Sequence, residues 1–115
     1  MTRLDAMHAA RDAVSAHPDR PATAIVHDVA DARLVVFRLA AGQTVAPHRS
    51  TSTVLLTVLA GAGVLSGEED GAPVERPCVA GDMVAYAPSE LHGMRADRGE
   101  ELLLLATITP RPGAR

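Results

Sequence analysis

The chain has 115 residues, enough for one ordinary domain core and too few for two. Its 47% hydrophobic and 22% charged residues are typical of a folded globular domain and exclude a disordered chain. The net charge is −3, and the eleven basic residues are all arginines scattered singly, so the basic stripe of a nucleic-acid-binding protein is excluded.

A short amphipathic helix is predicted at the start of the chain. Thr2 to Asp5 resembles a capping box, with Asp in place of the usual Glu or Gln. Apolar residues then recur at helical spacing: Leu4, Met7, Ala10 and Val14. The helix should run to about Ala16, because Pro18 disfavours helical backbone at the residue before it. Residues 1–18 are thus a helical segment, on which His8 is expected to be solvated.

Short strands separated by turn signals fill the rest of the chain. The predicted strands are 24–27, 33–39, 53–59, 64–66, 74–79, 83–87, 93–96 and 101–109. Gly61 to Gly63 closes one strand, and Gly67 to Pro73 is expected to be an acidic loop. No intervening stretch is long enough for a crossover helix, which excludes a parallel sheet. The pattern predicts an all-β domain over residues 19–110, followed by a flexible tail at 111–115.

Two of these strands, 54–59 and 102–106, are apolar on both faces. One face should line the interior of a barrel. The other must meet a second sheet, the N-terminal helix or another subunit. We therefore expect a homodimer. No apolar run is long enough to cross a bilayer, and no leader-like segment begins the chain, so we expect a cytoplasmic protein without membrane contact.

Two stretches of the chain share one pattern. Gly42 leads through an apolar stretch and Pro47 to His48, and Gly81 leads through Pro88 to His92. The segments 42–61 and 81–96 resemble the paired motifs of the cupin superfamily. That resemblance implies a cupin-type jelly-roll β-barrel with a short N-terminal α-helix, in which the two histidines face each other inside.

The resemblance also implies a divalent metal, which cupins with a full site hold through three histidines and a glutamate. By position, His48 and His92 remain, while Ser50 and Val54 replace a histidine and the glutamate. Valine cannot coordinate a metal, and a serine hydroxyl is a poor neutral ligand. A zinc, iron, nickel or copper ion, if one is bound, should therefore be held weakly. Glu90 either turns inward as a third ligand or stays solvated in a turn.

Four other side chains have a site role and a structural role to weigh. Tyr86 either donates its hydroxyl into the pocket or packs in the barrel wall. Cys78, the single cysteine, is expected to be a buried apolar residue, since neither a histidine nor a cation is its sequence neighbour. Asp82 should cap backbone amides in its turn. The direction that His27 faces is open.

Three functions remain open at this level. The first is a binding module for a small molecule held in the barrel, with Val54, Leu56 and Val58 along one wall. Its predicted ligand-binding residues are His48, His92, Ser50, Val54 and Tyr86. The second is a cupin enzyme of the dioxygenase, isomerase or decarboxylase class that uses the two histidines with a metal, or one of them as a base. The third is a dimer-forming interaction domain. The sequence assigns no catalytic residue.

Overall fold

The computed structural model describes residues 1–113, which form one short helix and eight strands. The helix α1 is Ala6–Asp12, and the strands are β1 (Ala22–Val29), β2 (Ala32–Leu39), β3 (Thr44–His48), β4 (Thr53–Glu69), β5 (Ala72–Val79), β6 (Met83–Tyr86), β7 (His92–Ala96) and β8 (Leu102–Thr109). Every strand pair is antiparallel. The predicted all-β class with a short N-terminal helix is confirmed.

Helix α1 is shorter than the sequence predicts at both ends. Its N-cap is Asp5 and not Thr2, because the Asp5 carboxylate accepts a hydrogen bond from the His8 N–H. It ends at Asp12, since Ala13 is already extended. At this end the guanidinium of Arg38 on β2 donates to the Arg11 carbonyl at 2.8 Å. Helix α1 has seven residues, and no helix among the described residues is long and apolar enough to cross a membrane.

The strands form one curled sheet organised around β4. Along the sheet the order is β1-β2-β8-β4-β7-β3, and β5 and β6 also pair with β4. The first half of β4 pairs with β6 and β8, and the second half pairs with β5 and β7. One strand therefore belongs to both walls of the curl and carries the chain from one wall to the other.

The predicted break at Gly61–Gly63 is wrong, because β4 runs unbroken through it for 17 residues. The strand bends there, with a register shift between Val58 and Ala60 and a φ of +86° at Gly61. At these glycines the neighbouring strands come very close. A Cβ on Gly61 would lie 1.8 Å from the Glu101 carbonyl oxygen. The glycines permit a bend and do not end the strand.

The acidic loop predicted from Gly67 to Pro73 is instead a hairpin. Strand β4 continues to Glu69, β5 begins at Ala72, and only Asp70 and Gly71 form the turn. Both turn residues have positive φ, 52° and 78°, as a two-residue hairpin of this type needs. Sequence composition exaggerated the loop because Glu68 and Glu69, whose charges suggest a loop, are the last residues of the strand.

Both faces of strand β8 are covered by other parts of the protein, which accounts for its apolar residues on both faces. Leu102 and Leu104 pack into the main core inside the curl, which also holds Val58 and Cys78. Leu103 points the other way and packs with Ala10 of α1 and Val36 of β2. The sequence left open whether a second sheet, the N-terminal helix or another subunit packs on this face, and the structure shows the N-terminal helix there.

The C-terminal segment is attached to the body of the protein as far as it is described. Ser52 donates its hydroxyl to the Pro110 carbonyl at 2.7 Å. The Arg111 N–H donates to the Ala30 carbonyl, and the Arg111 guanidinium lies 3.2 Å from Asp28. The predicted flexible tail at 111–115 therefore begins at a residue that is attached to the body of the protein, and residues 114 and 115 lie outside the described part of the chain.

Candidate functional site

His48 and His92 lie next to each other, as expected from the paired motifs. His48 ends β3, His92 begins β7, and the two residues are direct partners in that antiparallel pair. Their ring centroids are 4.2 Å apart at an interplanar angle of 61°. Gly93 allows this approach, because a Cβ there would lie 3.0 Å from the Pro47 Cα. The topology therefore brings both motif histidines to one point.

The backbone fixes the tautomer of each imidazole. The Nδ1 of His48 lies 3.1 Å from the Ala46 carbonyl oxygen, and the Nδ1 of His92 lies 3.2 Å from that of Glu90. A carbonyl oxygen only accepts hydrogen bonds, so each Nδ1 carries the proton and donates it. In the neutral rings each Nε2 then keeps its lone pair. Two hydrogen-bond acceptors therefore lie at one end of the site.

The two histidines differ in their contact with solvent. His92 is 7% exposed, whereas His48 is exposed. Burial lowers the pKa of His92 below its ordinary 6.5; the Glu90 carbonyl partly opposes this shift, and the neighbouring His48 adds to it. His92 is therefore a neutral imidazole at neutral pH.

A cavity of about 270 Å³ opens beside the two rings. One end of it is polar and carries His48, Arg49, Ser50 and His92. The remaining wall is formed by Phe37, Val45, Val54, Leu56, Gly93, Met94, Ala106, Ile108 and Pro112. The site is thus an apolar pocket with its polar groups gathered at one end.

Of the three other predicted ligand-binding residues, two line the cavity and one does not. Ser50 and Val54 line the cavity together with the histidines. Tyr86 does not line it: its hydroxyl donates to the Ser66 carbonyl at 2.8 Å, and burial raises its pKa to about 12. Tyr86 therefore belongs to the barrel wall. Of the predicted apolar wall, Val58 lies in the core and does not line the cavity.

Glu90 does not join the two histidines as a third ligand. Its carboxylate accepts a hydrogen bond from the Ala87 N–H at 2.9 Å and so caps its own turn. Among residues 1–113, no three His, Cys, Asp or Glu side chains are arranged to hold a metal ion. Two imidazoles, with serine and valine at the other positions, do not fit a firmly held resident metal.

An ion pair that sequence reasoning missed holds the two histidine-bearing loops together. The guanidinium of Arg49 donates to the Glu68 carboxylate at 2.6 Å and to the Ser89 carbonyl at 2.8 Å. The same Glu68 oxygen accepts the Leu91 N–H at 2.8 Å. Glu68 therefore binds the residue after His48 and the residue before His92. In the sequence, the position of Arg49 next to His48 could have indicated that it belongs to the site. No sequence feature pointed to Glu68.

The acid stability of the protein should depend on Glu68. The hydrogen bond from Arg49, followed by that from the Leu91 N–H, lowers its pKa below the ordinary 4.5. A carboxylate with a lowered folded pKa stabilises the protein fully above its unfolded pKa, and this contribution is lost as the pH falls through the folded value. We expect Glu68→Gln to melt below the wild type at neutral pH, with the difference shrinking in acid. Melting curves over that range measure this.

The matched control is Glu69→Gln, which removes the neighbouring carboxylate from an exposed pair with Arg76. It should cost less than Glu68→Gln at neutral pH. Wild-type and Glu68→Gln melting temperatures that run parallel from neutral pH into acid would contradict the assignment.

The remaining candidates have structural roles or none. Cys78 is 3% exposed in the main core, and burial raises the pKa of its thiol, as expected of an apolar residue. Asp82 accepts the Val79 N–H, which confirms its capping role. His8 is solvated beside Asp12. His27 is half-buried on β1 and lies opposite Leu34.

Neither a family model nor a curated protein matches the sequence. Solved structures do match it over most of its length. A Klebsiella pneumoniae protein with a double-stranded β-helix domain is 20% identical, covers 100% of this chain and 95% of its own, and has a TM-score of 0.81. An RmlC-like cupin from Desulfovibrio desulfuricans is 28% identical over 86% and 91%, with a TM-score of 0.72. KdgF from Halomonas sp. is 22% identical over 87% and 88%, with a TM-score of 0.74. The fold is that of a small cupin domain.

Proposed function

We propose that this small cupin-fold protein binds a small, mainly apolar molecule inside its barrel, with His48 and His92 as the polar anchors. The observation that carries the proposal is the cavity of about 270 Å³, which is apolar except at the end where the two imidazoles lie. Small-molecule sites combine an apolar lining with a few placed polar groups in this way, with volumes from about 300 Å³ upwards.

The packing around the cavity supports the same conclusion. Val54 and Leu56 are almost fully buried and belong to the main core, yet they also border open space. The cavity opens to solvent at the exposed His48 and Arg49, so water can reach its apolar wall. A ligand that covers this wall and releases that water would be bound favourably by the hydrophobic effect.

Propylbenzene tests the binding proposal, because it matches the apolar wall and has no polar group. We expect its addition to shift the amide NMR signals of the cavity-lining residues. Ala106→Leu fills the cavity and should abolish these shifts, because Ala106 lines the cavity and is 3% exposed. The control is Ala85→Leu on the outer face of β6, which should bind like the wild type. A wild type that responds neither to propylbenzene nor to 4-propylphenol, its counterpart with a polar head, would refute the proposal.

A second candidate is an enzyme that uses one of the two histidines as a general base. The observation that favours it is the pair of imidazoles at the polar end of a pocket, each with its Nδ1 on a backbone carbonyl and its Nε2 left to accept a proton. The metal-dependent classes, dioxygenase, isomerase or decarboxylase, need more ligands than His48 and His92 supply. A metal-free reaction is therefore the form of this alternative that the side chains support.

Metal removal should leave the stability of the protein nearly unchanged. Two imidazole ligands hold a divalent transition metal weakly, and a weakly bound ion contributes little to stability by mass action. We expect the melting temperature after chelator treatment to lie within about 1 °C of the untreated value. A large fall in the wild type that is absent in His48→Ala would overturn this expectation and revive the metal-dependent alternative.

We also propose that the protein is a homodimer. Helix α1 already covers Leu103, but several apolar side chains on the outside remain more than half exposed: Val14, Ile25, Val79 and Met83. Ile25 lies on β1, a strand at the end of the sheet order, where unpaired backbone groups favour association. Light scattering at tens of micromolar, roughly the working range for a standard interface, should give twice the monomer mass. A monomer at that concentration would contradict the proposal.

A further inference from the structure

The polar end of the cavity offers hydrogen-bond acceptors to a ligand. Both Nδ1 atoms donate to backbone carbonyls, so the neutral rings of His48 and His92 present only Nε2 lone pairs. The Ser50 hydroxyl oxygen accepts the Ser52 N–H at 3.1 Å, which leaves its own O–H free to donate. A group that both donates and accepts one hydrogen bond therefore pairs with the Ser50 hydroxyl and with one of the two Nε2 atoms.

The same end holds little unpaired positive charge. Arg49 is the one cation among the described lining residues, and its guanidinium already binds both oxygens of Glu68 and the Ser89 carbonyl. The Glu68 carboxylate compensates its charge. A carboxylate or phosphate ligand would lose its hydration without gaining an unpaired cation, which is unfavourable in an apolar site.

The wall excludes ligands that are polar along their whole length. Beyond the histidine end it is formed by aliphatic and aromatic side chains such as Phe37, Leu56 and Ile108. These cannot pair with the several hydroxyls of a sugar, and an unpaired buried hydroxyl is costly. The volume, about 270 Å³, also limits the ligand to less than drug size.

From these three features we infer that the ligand is a small apolar molecule with a neutral hydroxyl head of the phenol, enol or alcohol type. The hydroxyl donates to an imidazole Nε2 of the His48 and His92 pair and accepts from Ser50. This inference rests on the proposed binding function, because it specifies which molecule the same cavity takes.

Four probes of similar size separate the head groups. They are 4-propylphenol, with a hydroxyl; its isomer 4-ethylanisole, with an ether oxygen and no hydroxyl hydrogen; 4-ethylbenzoate, with a carboxylate; and propylbenzene, with no polar group. We expect calorimetry to show 4-propylphenol binding about fivefold more tightly than 4-ethylanisole, since one net hydrogen bond is worth about that factor. 4-Ethylbenzoate should bind more weakly than the phenol.

His48→Phe keeps an aromatic ring at an exposed position and removes its acceptor nitrogen. The preference for the phenol over its isomer should fall in this variant or in His92→Phe, whichever removes the accepting Nε2, whereas His17→Phe, remote from the cavity lining, should keep the wild-type preference. Equal binding of phenol and ether in the wild type would overturn the head-group inference and leave the binding function standing. Tightest binding of the benzoate would overturn it in favour of an anion site at Arg49. If none of the probes binds, propylbenzene included, the binding function itself fails.

Discussion

Replacing Ser50 by histidine and Val54 by glutamate together should tighten zinc binding by several orders of magnitude. Both residues line the same cavity as His48 and His92. Three imidazoles and one carboxylate would then converge on one point, and each added ligand also displaces a water from the metal. The wild type, with two imidazoles alone, should respond weakly to zinc.

The same double variant should be less stable than the wild type without metal. Val54 is 4% exposed in the main core, so Val54→Glu places a carboxylate in an apolar wall. Without a partner this costs several kcal/mol or keeps the group protonated. Added zinc should reverse the loss, because binding to the folded state alone stabilises it.

Melting curves of the wild type and the double variant, with and without zinc, measure both effects. Adding His48→Ala to the double variant is the control, and it should remove most of the gain from zinc. Equal zinc responses in wild type and double variant would mean that these four positions do not converge, and the geometry of the site described above would be wrong.

Gly61→Ala should destabilise the protein by about 4 kcal/mol or more, a cost reached by few single substitutions. The new Cβ would lie 1.8 Å from the Glu101 carbonyl oxygen and 2.9 Å from its carbon. Both are backbone atoms next to β8, so strands β4 and β8 would have to separate. The φ of +86° at Gly61 adds strain for any residue with a side chain.

Gly81→Ala is the matched control for this prediction. Gly81 has a φ of +95°, yet a Cβ there would meet nothing within 4 Å. Its cost should be only the backbone strain, about 1–2 kcal/mol. Chemical denaturation of both variants gives the comparison. Similar losses in the two would show that the close contact at Gly61 relaxes easily and that strain alone accounts for the effect.

The sequence by itself determined the fold class and the meeting of the two histidines. The turn at Gly81 acts locally, so the strand boundaries on both sides of it could be predicted from composition, whereas strand β3 after Gly42 was not among the predicted strands. The resemblance of segments 42–61 and 81–96 to the paired cupin motifs implied that His48 and His92 face each other. The antiparallel pairing of β3 with β7 then brought the two rings together, as expected.

Other features depended on contacts between residues far apart in the chain. At the end of α1, the guanidinium of Arg38 on β2 donates a hydrogen bond to the carbonyl of Arg11 in the helix. The continuity of β4 through Gly61 depends on pairing with β8, whereas the local signal of glycines indicated a break. The Glu90 carboxylate accepts the Ala87 N–H and does not point to the histidines. Sequence composition cannot tell which of these two nearby partners the carboxylate binds.

The polar end of the cavity likewise required the tertiary structure. Glu68 lies 19 residues from its partner Arg49 in the chain, and the bend of β4 is what carries it to the loops beside both histidines. The shape and volume of the cavity also follow from how the two walls of the sheet curl over each other. Local signals fix turns and the alternation of side chains along a strand, whereas distances between strands arise only from the packing of the whole sheet.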